Sequence, residues 1–155
     1  MNQLLALQGS PRRQIQRTTT SRCYLPTLAD LAITAMGRVL ERRGQQVIVQ
    51  PTDSAVWVTG DERAIFALMS AVLVEAAGLS SARASLRLGF EVDDGDTVMT
   101  VIGTNIHQFP SNTMRVDPEL VELAALVGAE IDLIWDQHEG PTLVLRFPDR
   151  EANLA

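Results

Sequence analysis

Residues 53–77, DSAVWVTGDERAIFALMSAVLVEAA, constrain the fold more than any other stretch of the chain. Residues 55–59 read as a short strand, Gly60-Asp61 as a turn, and Asp61 as the opener of a helix. In that helix Ile65, Leu68, Met69, Val72, Leu73 and Ala76 line one face, and Ala67, Ala71 and Val74 widen it. A stripe that wide belongs to a largely buried helix, which needs a second layer to cover it.

The flanking segments supply that layer. Leu28, Leu31, Ala32, Ala35, Met36, Val39 and Leu40 follow helical spacing, so residues 27–43 are expected as one amphipathic helix. Thr27 after Pro26 is its expected cap, Arg42 and Arg43 suit its negative end, and Gly44 stops it. Residues 46–50 form a short strand expected to pair with 55–59 across the turn at 51–54. Between 84 and 92, Ala84, Leu86, Leu88, Phe90 and Val92 alternate with Ser85, Arg87, Gly89 and Glu91, which is a half-buried antiparallel strand. Asp93-Asp94-Gly95-Asp96 is a hairpin turn into a strand at 98–102. A loop at 103–116 precedes Asp117-Pro118, an N-cap followed by proline in the first helical position. Leu120, Leu123, Ala124 and Val127 face the core from that helix, and Gly128 ends it. Ile131, Leu133 and Trp135 alternate with acids, which places Trp135 in the core. His138-Glu139-Gly140 turns the chain into a last strand through Leu143, Leu145 and Phe147, stopped by Pro148.

The expected architecture is an α/β (α+β) two-layer sandwich, with a mixed, mainly antiparallel sheet of five to six strands and three helices on one face. A length of 155 residues with 46% hydrophobic and 21% charged residues suits one such domain. Residues 1–22 contain Arg12, Arg13, Arg17 and Arg22 and no acid, and read as a flexible basic tail; 23–148 is the domain and 149–155 a short C-terminal tail. The net charge of −6 argues against a nucleic-acid binder. No apolar run reaches the roughly 18 residues of a membrane span, and the first residues lack the pattern of a secretory signal. A cytoplasmic protein is expected. The single cysteine, Cys23, excludes a disulfide framework and a cysteine-based metal site.

This order of elements resembles the Bergerat ATP-binding fold of sensor histidine kinases, DNA gyrase and MutL, over residues 24–148. Gly60-Asp61 with Arg63 looks like the lead-in to the N box. Residues 98–105 are similar to the strand and G1 box, 117–128 to the helix after the ATP lid, and Gly140-Pro141-Thr142 to the closing glycine motif. The resemblance implies a nucleotide pocket built from Ala71, Glu75, Gly103, Asn105, His107, Gly140 and Thr142. It also implies that its chemistry is degenerate. Ala71 and Glu75 stand where the family places two asparagines that hold Mg²⁺ against the phosphates; Ala71 offers no ligand, and Glu75 is the one candidate metal ligand. Gly103 stands where an aspartate accepts from the adenine amino group. Asn105 and His107 add bulk where glycines belong, and Pro141 lacks a backbone donor.

No P-loop, no HExxH and no histidine cluster competes, since His107 and His138 stand alone in loops. With no histidine in the first 23 residues, the chain resembles the degenerate ATPase-like half of bacterial histidine phosphotransferases without its phosphate-carrying hairpin. The expected function is a non-catalytic module that binds a protein partner in two-component signalling: a response regulator, a kinase or a transcription regulator. A homodimer is an open alternative, and no cofactor is expected. The other reading is a divergent kinase domain that binds ATP and Mg²⁺, as part of a split histidine kinase or an anti-sigma-type serine kinase. Trp57, if exposed on an edge strand, and the apolar strip with Leu28 and Met36 are the candidate partner-binding residues.

Overall fold

The computed structural model describes residues 20–104, 115–136 and 140–149. Along the chain run β1 (Thr20–Tyr24), α1 (Leu25–Ala35), α2 (Gly37–Arg42), β2 (Gln46–Val49), β3 (Trp57–Asp61), α3 (Glu62–Leu79), β4 (Ser85–Asp93), β5 (Asp96–Ile102), α4 (Pro118–Leu126), β6 (Glu130–Asp136) and β7 (Gly140–Phe147). Five strands form one mixed sheet in the order β2-β4-β5-β7-β6, and β1 with β3 forms a separate two-stranded antiparallel sheet. Helices cover the large sheet, giving the expected two-layer α/β sandwich.

Local chemistry explains most boundaries. Asp61 caps α3 by accepting a hydrogen bond from the Arg63 amide at 3.1 Å, and Asp117 caps α4 by accepting from Glu119 at 3.0 Å. The β4–β5 hairpin closes on Asp94 and Gly95, both at positive φ (51° and 85°), the geometry of a two-residue turn that matches strand twist. Arg146 on β7 clasps both ends of that hairpin, reaching Asp93 at 2.9 Å and Asp96 at 3.0 Å.

Four expectations need correction. The helix expected over residues 27–43 starts at Leu25, with Pro26 in the first turn where no amide is needed. It breaks at Met36, which has departed from helical geometry (φ −94°, ψ 5°) just ahead of Gly37, a poor helix former; hence four helices among the described residues where three were expected. β2 does not pair with β3. It pairs in parallel with β4, Gln46 opposite Ser85, while β3 pairs with β1, Thr20 opposite Asp61. A parallel pair needs a long crossover, and β3 with α3 supplies it. Residues 20–22, assigned to the tail, are the start of β1. Finally, Trp135 is only half-buried: it lies opposite Pro141 near the end of the edge strand β6, where the core has run out.

The core lies between α3 and the large sheet. Ile65, Leu68, Met69, Val72 and Leu73 of α3 meet Leu86, Leu88, Met99, Val101, Leu143 and Leu145, all within 1% of full burial. Leu25, Leu28, Ala29 and Ala32 of α1 and Leu120 and Ala124 of α4 join from either side of α3.

Candidate functional site

The residues expected to form the pocket fall into two contacts. The first is on the open face of α3. Ala71 is half-buried against the core and offers only a methyl group. Glu75, one turn on, is half-buried, and its carboxyl is pushed above the ordinary glutamate range, first by burial and then by the Asp117 carboxylate at the head of α4. Asp117 at the head of α4 is thus near enough to Glu75 of α3 to disfavour its charge. Among the described residues no group of three or more His, Cys, Asp or Glu is placed to hold a metal ion.

The second contact lies where α3 ends and β5 and β7 meet. Gly103 follows β5, is buried, and donates its amide to the Pro141 carbonyl at 2.8 Å. Gly140 opens β7 at φ +95°, and Thr142 is buried opposite Ile102. Ser80 closes α3, and its hydroxyl lies where a side chain on Gly103 would begin. That hydroxyl is buried with no hydrogen-bond partner among the described residues. Its backbone is fixed on both sides. Its amide donates to Ala76 and Ala77, and its carbonyl accepts from Arg43 at 3.1 Å. Buried Gln45 spans the same turn, donating to the Ala77 carbonyl at 2.9 Å and the Ser81 carbonyl at 3.1 Å. Asn105, His107 and His138 lie outside the described residues.

Sequence reasoning missed Ser80 and Gln45, and read Asp117 only as a helix cap. A serine after a helix reads as turn chemistry, and only the tertiary fold brings it against Gly103. The Ile102–Thr142 pairing puts Gly103 beside residues 140–142.

The candidate partner-binding residues separate. Leu28 and Met36 are buried in the chain's own core, so they are not a docking surface; Leu31 (53% exposed) and Val39 (43%) are the apolar side chains that α1 and α2 present outward. Trp57 is 42% exposed. Tyr24 packs on it with ring centroids 4.9 Å apart, and the Arg22 guanidinium sits 5.0 Å over its ring. Trp57, Arg22, Thr59, Thr97, Gly128 and Asp149 border a cleft of about 610 Å³. It lies by Thr97 and Phe147, the opposite end of the β5–β7 pair from Gly103.

No protein-family model and no curated protein matches the sequence. Solved structures do. The histidine kinase AdeS of Acinetobacter baumannii superposes with a TM-score of 0.68 at 12% identity, over 89% of this chain and 71% of that one. The cytoplasmic segment of histidine kinase QseC gives 0.64 at 12% identity, over 95% and 91%. Histidine kinase ThkA, in a complex with the response regulator protein TrrA, gives 0.60 at 11% identity, over 96% of this chain and 48% of ThkA. The chain has the fold of the histidine kinase catalytic, ATPase-type domain.

Proposed function

We propose that this chain is a non-catalytic, degenerate form of the histidine kinase ATPase fold that serves as a protein-binding module in bacterial two-component signalling. The residues at positions 71 and 75 of α3, an alanine and a partly buried glutamate, carry the reading. The fold family implies Mg-ATP, and the residues present do not fit it. A site for a triphosphate needs donors and a cation that neutralise anionic oxygens. Here the neighbouring position, Ala71, has no side-chain oxygen, and burial first, then the Asp117 carboxylate, already disfavours the charged form of Glu75. Asp117, at a helix start where an anion would otherwise be welcome, spends its charge capping α4.

The partner-binding role rests on Trp57 and its cleft. Exposed tryptophan stacked with arginine and tyrosine is the composition of an interface hot spot. ThkA was solved with a response regulator, which makes a receiver-type protein the first partner to test, and the QseC match to a cytoplasmic segment supports the cytoplasm as the place of action. A second reading draws on the same acids: Glu75 and Asp117 together offer oxygen ligands to a divalent cation, as a divergent ATP-dependent kinase would require.

Calorimetric titration with ATP and ADP, with and without Mg²⁺, separates the two. No heat up to millimolar nucleotide is expected. Saturable Mg-ATP binding in the micromolar range, abolished by Glu75→Ala, would establish the kinase reading instead.

A further inference from the structure

We propose that the face of the five-stranded sheet turned away from the helices is a dimerisation surface, on which a second copy of this chain packs sheet against sheet about a two-fold axis along β5.

The composition of β5 points to a second layer. Its residues read DTVMTVI. Met99 and Val101 join the core beside their partners Phe90 and Leu88, while Val98 and Ile102 point to the other face. A sheet with one face in water carries polar side chains there, and a strand apolar on both faces belongs between two layers. The helices supply only one of them. All four described helices contribute to a single core with Leu86, Leu88, Val101 and Leu145.

The ladders set the outward residues in rows. Ile48, Arg87, Ile102, Thr142 and Ile134 form one row across all five strands. Ile48 and Ile134, at its two ends, are 47% and 54% exposed. Gly89, Thr100, Val144 and Asp132 form the next row, and Glu91, Val98, Arg146 and Glu130 the third. The face is separate from positions 71 and 75 on α3. It is separate also from the Trp57 cleft, whose Thr97 and Phe147 pair on the helix side of the sheet.

The rows fit a second copy of themselves. β5 is the middle strand, so a two-fold along it sets β4 over β7 and β2 over β6 of the second copy. Ile102 then meets Ile102, Ile48 meets Ile134, and Glu91 meets the opposite charge of Arg146. A two-fold across the strands, centred on any of the three rows, sets Arg87, Asp132 or Glu91 against its own copy instead. Aligned sheets pack about 10 Å apart with side chains interdigitated. Five strands about 4.8 Å apart and about 23 Å long give a flat footprint of roughly 550 Å² per copy, and side-chain relief raises it toward the ~600–800 Å² per partner of specific interfaces.

The test is sedimentation equilibrium of the full chain from about 1 to about 200 µM. The unaltered chain should be dimeric in the upper part of that range. Ile48→Lys combined with Ile134→Lys changes two exposed positions and should weaken self-association at least tenfold. A chain that is monomeric throughout overturns the proposal. So does a dimer that the two lysines leave intact, or one that Leu31→Lys on α1 dissociates while they do not. Cross-linking tests the axis without relying on the lysine variants to fold. Ile102→Cys lies opposite itself across the two-fold, so a bismaleimide about 10 Å long should join two copies there. Leu126→Cys, 79% exposed on α4 and off the face, should give no cross-linked dimer, and Cys23 is buried. Cross-linking at position 126 and not at 102 overturns the arrangement.

Discussion

Glu75 shows how one side chain reports its surroundings. Its pKa is raised in the folded protein, so between the ordinary value and the raised one the native state holds more protons than the unfolded chain. Stability contributed by that proton is present at low pH and lost as pH rises through the folded value. Glu75→Gln removes the dependence. At neutral pH it should stabilise the chain slightly, by about 0.2–0.5 kcal/mol given how much of the carboxyl remains solvated, and the gain should vanish in urea titrations below the carboxylate range. Asp117→Asn should bring the Glu75 titration, followed by carbon-13 NMR, back toward the ordinary range. The expectation at residues 71, 75 and 103 came from a resemblance read in the sequence. That the Asp117 charge bears on Glu75 was not legible there, because no local rule links the cap of one helix to a residue of another.

At the scale of elements, the sequence announces whatever is periodic. The alternation of β4, the stripe of α3 and the Asp94-Gly95 turn were all readable. Failures came where the local signal was weak. β1 is TSRCY, which looks like more of the polar tail until Cys23 is seen buried opposite Val58. β2 and β3 sit close enough in sequence to suggest a hairpin, yet the residue before β3, Val56, ties instead to α1, its carbonyl accepting from the Leu25 amide at 3.1 Å. Two substitutions probe this level. Gly37 has open space around its Cβ direction, so Gly37→Ala should stabilise the α1–α2 junction by about 0.5–1 kcal/mol in chemical denaturation. Gly95 is at φ +85° with the Asp149 carboxylate 3.2 Å from a built Cβ, so Gly95→Ala should cost about 1–2 kcal/mol.

For the whole molecule, the sheet order places β5 and β7 inside and β2 and β6 at the edges. Amide exchange should be slowest in β5 and reach the global unfolding limit there, while β1 and β3, a two-stranded sheet, open at lower free energy. Among the described residues no helix is long and apolar enough to cross a membrane. Trp57→Ala should lower Tm by a few degrees, through its lost packing on Tyr24 and Arg22, and weaken binding to a receiver-type partner by tenfold or more in calorimetry, about 1.4 kcal/mol or above. The parallel pairing of β2 with β4 bears on time as well as on shape. Gln46 and its partner Ser85 are 39 residues apart, and the intervening chain includes all of β3 and α3. That loop must close before β2 gains any strand partner, whereas β4 and β5 meet across a two-residue turn. The strand added across the long loop therefore joins after the rate-limiting barrier. Weakening it, as with Val47→Ala, should quicken unfolding in stopped-flow measurements while leaving the refolding rate untouched.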